Sequence, residues 1–186
     1  MPKSARGEIN IVGNKVIVCG LNGVGKTTLG KALAIKLGYK FLDIEDYYFQ
    51  KQNANYIYDN PRNTKEVQKM LLNDFNKFDN FVFAAVKGNY NNEISDSFTH
   101  AVFICAPKEI RIKRVKERSY NKFGNRVLYG GDLYYKEKSF MDMVNNRSDN
   151  YTLDWLNTVN IPIVKVDGTK PIDENVLIIQ NKLFIK

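Results

Sequence analysis

Several things that decide function are scarce in this sequence. One histidine and two cysteines are present among 186 residues. The lone His100 leaves no histidine-based triad or multi-histidine metal site to consider, and it is expected to be structural. Cys19 and Cys105 each sit inside an apolar run, where buried free thiols are the default. No apolar stretch approaches the ~20 residues that cross a bilayer. Residues 1–8 lack the apolar segment of a secretory leader, so the expected compartment is the cytoplasm, with no membrane partner. There is no internal repeat, no linker and no aromatic-interleaved basic repeat. Nucleic acid is therefore not the expected partner, even though 28 Lys+Arg against 20 Asp+Glu give a net charge of +8. The length suits one domain over 1–186 with a sizeable core.

Against these absences stands Gly20-Leu-Asn-Gly-Val-Gly-Lys-Thr27, which fits the phosphate-loop pattern G-x-x-x-x-G-K-[ST]. Val16-Ile-Val-Cys19 precedes it and reads as a strand buried on both faces. Thr28–Leu37 follows, with Leu29, Ala32, Leu33 and Leu37 at helical spacing and Gly38 as a stop. Gly20, Gly23 and Gly25 permit torsions and close approach that a Cβ hinders. The amides of Asn22, Gly23, Val24 and Gly25, with those opening the helix at Lys26, Thr27 and Thr28, are expected to cradle phosphate oxygens. Lys26 would place an ammonium on the β- and γ-phosphates, and Thr27 a hydroxyl on Mg²⁺.

Further short apolar strands are expected at Lys40–Asp43, Phe81–Val86, Ala101–Ala106 and Ile163–Val166, with a small edge strand at 8–12. Between them lie a helix opened by an Asn63/Glu66 capping box, a basic helix over about 107–120 and a long helical pattern over about 136–159. A last helix begins at Pro171. Residues 50–61 read as a tyrosine-rich loop or short helices over a site. Strands alternating with helices predict an α/β domain whose parallel sheet is covered on both faces, with ligands at the strands' carboxyl ends.

Candidate site residues follow from that edge. Asp43 ends the second strand, so its carboxylate can hold Mg²⁺ through water, orient an acceptor hydroxyl or take its proton. Glu45 shares these options, while Asp46 suits a helix first turn. Arg111, Arg114 and Arg118 share one helix stripe; Arg118 is the candidate cation, and Arg111 and Arg114 are expected to be solvated. Arg126 lies in a glycine-bearing flap that could carry it to a transferring phosphoryl group. Arg147 falls on the apolar face of Phe140, Val144, Tyr151 and Trp155, where an inward guanidinium needs an anionic partner. Arg62, at a helix start, suits a carboxylate or phosphate. Lys87 and Gly88, with Asn89, end the third strand and would face the same crevice. Asn76-Lys-Phe-Asp79 matches the guanine-reading N-K-x-D pattern, but it precedes a strand rather than following one and is set aside.

Taken together, residues 15–183 resemble the small P-loop kinases of the shikimate, gluconate and nucleoside-monophosphate kinase group. Gly20–Ala34 and Phe41-Leu-Asp-Ile-Glu45 carry the likeness most strongly; Glu45 stands where shikimate kinases have a second Asp. The resemblance implies a three-layer fold with a five-stranded parallel sheet in order 2-3-1-4-5, helices on both faces and a lid over about 119–135. It implies ATP and Mg²⁺ as cofactors, Asp167-Gly168-Thr169 packing the adenine, Arg118 and Arg126 serving the lid, and Arg62 and Arg147 binding a small anionic acceptor. Only Gly88 remains of the glycine triplet of shikimate kinases. Val86–Tyr90 is not the Asp-Gly-x-Pro-Arg run of monophosphate kinases. The implied activity is phosphoryl transfer to a metabolite, with a nucleoside monophosphate as the alternative acceptor. A nucleotide-binding regulatory module without transfer is the alternative of another class.

Overall fold

The structure is a computed structural model and describes residues 13–49, 56 and 58–184. The expected edge strand at 8–12 and most of the tyrosine-rich loop lie outside the described residues.

Five strands form one parallel sheet: β1 (Lys15–Cys19), β2 (Lys40–Asp43), β3 (Phe81–Ala85), β4 (His100–Cys105) and β5 (Ile163–Asp167), in spatial order β2-β3-β1-β4-β5. β1 lies at the centre, with Val16 paired to Val82 on one side and to His100 on the other. Its side chains alternate between two cores. Val16 and Val18 join Leu29 and Leu33 of α1 (Lys26–Leu37) and Val176 and Ile179 of α8 (Ile172–Leu183). Ile17 and Cys19 join Val67, Leu71 and Phe75 of α3 (Thr64–Lys77) and Trp155 of α7 (Tyr151–Leu156). A strand with both faces covered must be apolar throughout, which explains its continuous run. Full burial of each such side chain contributes roughly 1.5–3 kcal/mol.

The expected capping box is present: Asn63 Oδ1 accepts from Glu66 N, and Asn63 N donates to Glu66 Oε2. Lys77 ends α3 before β3 begins at Phe81, so Asn76–Asp79 precedes a strand, as expected. Two short helices, α2 (Ile44–Tyr48) and α4 (Asn92–Asp96), complete the cover beside α3. α5 runs Lys108–Phe123, three residues past its expected end.

The helix expected over about 136–159 is two helices, α6 (Tyr134–Asn146) and α7, and this corrects the sequence reading. Arg147 is extended at ψ 128°. The run Asn145-Asn-Arg-Ser-Asp-Asn150 supplies side chains that bond nearby backbone in place of helix, and Ser148 Oγ accepts from Asn150 N. Between α5 and α6 the chain makes a 3₁₀ turn, Gly124–Val127, and a tight return through Gly130 and Gly131. Among the described residues, no helix is long and apolar enough to cross a membrane.

Candidate active site

The loop between β1 and α1 is built as its glycines require. Gly20, Gly23 and Gly25 have φ of 151°, 83° and 104°. A Cβ on Gly23 would lie 2.3 Å from the Arg111 carbonyl oxygen, so backbone packs directly on backbone there. Val24 turns its side chain into the core, leaving its backbone to the loop. Lys26 donates from Nζ to Leu21 O at 2.9 Å and so closes the loop on itself. Burial pushes the Lys26 ammonium down to about 8, against the opposing pull of Glu45 and Asp43. Beneath it, burial pushes the Cys19 thiol up to about 12, which makes it an inert core group.

Asp43 does two things at once. Oδ1 accepts from Glu45 N at 3.0 Å and caps α2, while Oδ2 accepts from Thr27 Oγ1 at 2.8 Å. The helix cap and the bond to the phosphate-loop threonine are thus made by different oxygens of one carboxylate. Thr27 and Asp43 also form a pair of hard oxygen donors beside a helix N-terminus, a donor set that fits Mg²⁺.

A cleft of about 540 Å³ opens over this group. Asn22, Gly23, Gly25, Lys26, Thr27 and Thr28 form its floor; Asp43, Glu45 and Asp46 its acidic wall; Lys31, Arg114, Arg118 and Lys122 its basic residues. Arg118 Nη1 lies 3.9 Å from Glu45 Oε1 across the mouth. Phe49 and Tyr58 also line the cleft, with their rings packed edge to face at 5.3 Å.

Other expected residues stand elsewhere. Among the described residues, Arg62, Lys87, Gly88, Arg126, Arg147 and Asp167 do not line this cleft. Arg62 donates to Tyr47 O at 2.7 Å and holds the C-terminal end of α2. Gly88 is crowded by Trp155 and Phe98, at 2.6 and 2.7 Å from where a Cβ would sit, so its smallness serves packing. Arg126 is clamped by Asp132, Nε to Oδ1 at 2.9 Å and Nη2 to Oδ2 at 2.7 Å. That bidentate pair holds the Asp132 carboxyl below its ordinary range. Asp167 Oδ1 accepts from Thr169 N and Oγ1 within its own turn.

Arg147 caps α6 rather than lying on its apolar face. It donates to Asn22 Oδ1 at 2.6 Å and rests 5.1 Å from the Tyr151 ring centre. Lys87 Nζ lies 4.0 Å from the same ring. Two cations therefore gather on Tyr151 at the rim of the phosphate loop.

The two arginines expected to be solvated are not. Arg111 is buried, 4% exposed, and donates to Asp149 Oδ1 at 2.8 Å and to Ala106 O at 3.2 Å. Arg114 donates to Gly168 O at 2.9 Å, tying the turn after β5 to the phosphate loop. Helical spacing told which stripe they share but not what that stripe packs against. The same spacing extended by four residues would have found Lys122.

A phosphate loop opening a helix at the edge of a 2-3-1-4-5 parallel sheet, with lysine, threonine and acid converging on it, defines the P-loop NTPase fold of the small kinases. Within that class the chain belongs to the AAA domain family, which residues 16–139 match. It is 26% identical over 168 residues to the uncharacterized protein YqaC of Bacillus subtilis, covering 86% of this chain and 91% of that one. It is 24% identical over 144 residues to a shikimate kinase of Nitrosomonas europaea, covering 73% and 66%. Among solved structures, a shikimate kinase from Bacteroides thetaiotaomicron superposes with a TM-score of 0.59 at 18% identity, covering 90% and 97%.

Proposed function

We propose that this protein transfers the γ-phosphoryl group of ATP, with Mg²⁺, to a hydroxyl of a small anionic metabolite. The convergence of Lys26, Thr27, Asp43 and Glu45 in one cleft carries this reading. Lys26 would leave Leu21 O for the β- and γ-phosphates, and the loop amides of Gly20–Thr28 would take the remaining oxygens. Mg²⁺, held by Thr27 and through water by Asp43, would supply charge neutralisation at the phosphates.

Asp43 or Glu45 would orient the acceptor hydroxyl and take its proton. The hydroxyl oxygen bonds to the γ-phosphorus, the bond to the β–γ bridging oxygen breaks, and ADP leaves. Arg118 faces the cleft to meet charge on the phosphoryl oxygens; Arg126 joins it only after leaving Asp132. Lys87 and Arg147, together on Tyr151, suit the anionic group of the acceptor. Arg62 supports that side by holding α2, Gly88 by seating Trp155, and Asp167 by shaping the turn that Arg114 holds beside the nucleotide.

ATP consumption measured across a panel of hydroxylated anionic acceptors and nucleoside monophosphates tests the reading. Turnover stimulated by one acceptor, and reduced about 10²-fold or more in Asp43→Asn, is the expected result. Nucleotide binding with no acceptor stimulation would instead support a regulatory module.

A further inference from the structure

Three segments of chain meet at the rim of the cleft, where β3 ends. Val86 O accepts from Gly20 N of the phosphate loop at 3.3 Å and from Thr152 Oγ1 of α7 at 3.0 Å. Beside that junction Lys87 and Arg147 rest on the ring of Tyr151. Val86, next to Lys87, and Asn22, bonded to Arg147, line the cleft itself. Burial pushes the Tyr90 hydroxyl up, and nearby Tyr48, Tyr151 and Asp43 push it further. Asp43 and the Tyr151 platform therefore flank one tyrosine.

No acid compensates these two cations. Among the described residues, neither Lys87 nor Arg147 takes part in an ion pair. Asp149, two residues beyond Arg147, is committed to Arg111. Neutral atoms aim Arg147 instead: Nη1 donates to Asn22 Oδ1 at 2.6 Å, and Nη2 rests on Met143 Sδ at 2.9 Å. An amide oxygen orients a guanidinium without cancelling its charge, as a carboxylate in the same place would. Position 22 is unspecified in the phosphate-loop pattern, so phosphate binding does not itself demand the amide. Two like charges on one ring repel, and a bound anion relieves that repulsion.

We propose that Asn22 is a positioning residue for an anion site in which Arg147 and Lys87 take a small oxyanion, phosphate or carboxylate, carried by the acceptor. Asn22 aims the Arg147 guanidinium along the rim with its charge intact, and Lys87 supplies the second cation. Because Asn22 belongs to the phosphate loop, it also fixes that anion relative to the phosphoryl donor. That the anion is the acceptor's rests on the kinase reading; the site, and the part Asn22 plays in it, do not.

The test titrates the full chain with methyl phosphate and, separately, acetate, while Mg²⁺ and the non-hydrolysable analogue AMP-PNP fill the phosphate loop. Amide NMR shifts of Lys87 and Tyr151 supply the readout, and nucleotide-dependent shifts elsewhere show that each variant is folded with its loop filled. Two charge-assisted bonds predict saturation near ~1 mM, and the tighter anion names the acceptor's group. Arg147→Ala should weaken that binding about tenfold or more. Asn22→Asp is the decisive variant, because it keeps a bond to Arg147 but cancels the charge. Its melting temperature should hold while anion affinity falls about tenfold. A residue that merely fastened the α6–α7 segment to the loop would accept Asp with anion affinity unchanged. Unchanged affinity in Arg147→Ala or in Asn22→Asp, or no saturation by either anion at about 20 mM, well above the ~1 mM expected, overturns the proposal. No turnover is involved, so a protein that binds the anion in this way yet phosphorylates no acceptor loses the kinase reading and keeps the site.

Discussion

Lys26 is the residue whose chemistry can be read most directly from solution behaviour. Its ammonium is held down to about 8 by burial, so the free protein loses that charge as pH rises through 8. Bound polyphosphate would restore it. Affinity for a non-hydrolysable ATP analogue should therefore fall above pH 8, by up to about tenfold per unit, and an affinity flat from pH 7 to 9.5 would remove Lys26 from the phosphate site. Stability moves the other way. The neutral amine is favoured in the fold, so this group's contribution rises between pH 8 and its ordinary value of 10.5. Gly23→Ala tests the backbone side of the same loop. The new Cβ meets the Arg111 carbonyl at 2.3 Å with φ at 83°, so a loss of roughly 1–3 kcal/mol in chemical denaturation is expected. These positions were legible in sequence because their demands are local: glycine torsions, a lysine at a fixed offset, a hydroxyl in the first helical turn. Arg62, Arg111 and Arg147 were not, since a guanidinium's partner is set by whichever carbonyl, acid or ring the tertiary fold brings near it.

At the scale of elements, the segment between α6 and α7 is fastened to the phosphate loop twice. Arg147 reaches Asn22, and Asp149 reaches Arg111, whose backbone packs on Gly23. Apolar periodicity ran through this segment and suggested one helix; the break came from competing Asn, Ser and Asp side chains, a signal present in the sequence but outweighed in that reading. Among the described residues, Asp149→Ala would leave the buried Arg111 side chain with only Ala106 O as a hydrogen-bond acceptor. Because Asp149 is 72% exposed, the expected loss is about 1–2 kcal/mol, between that of an exposed pair and a buried one. An unchanged melting curve would show that the second fastening is idle. The turn between α5 and α6 poses the complementary case. Arg126 is clamped by Asp132 on its own turn, so transfer through Arg126 requires the clamp to open. On the kinase reading, Arg126→Ala should lower kcat about 10³-fold while nucleotide affinity changes little. An unaltered kcat would leave the pair a purely structural role in that turn.

For the whole molecule, strand order and two-sided packing were readable because alternation of apolar strands with helices leaves few arrangements, and the phosphate loop fixes which edge is functional. The side proposed to take the acceptor was less legible. It is assembled from α2, the end of β3 and the α6–α7 segment, whose contacts, such as Trp155 on Gly88, join residues more than sixty positions apart. The cleft is lined by α1 and α5 on one side and by α2 and the end of β3 on the other, so ligands that fill it should hold these elements together rather than merely decorate an edge. A ligand binding only the folded state at a hundred times its Kd adds about 2.7 kcal/mol. For a chain of 186 residues that corresponds to a rise in Tm of roughly 5–11 °C. An ATP analogue with Mg²⁺ should produce this rise, Lys26→Met should abolish most of it, and a true acceptor should add to it only when the nucleotide is present. Equal stabilisation of wild type and Lys26→Met would mean that the nucleotide binds away from the phosphate loop, and the kinase reading would fall with it.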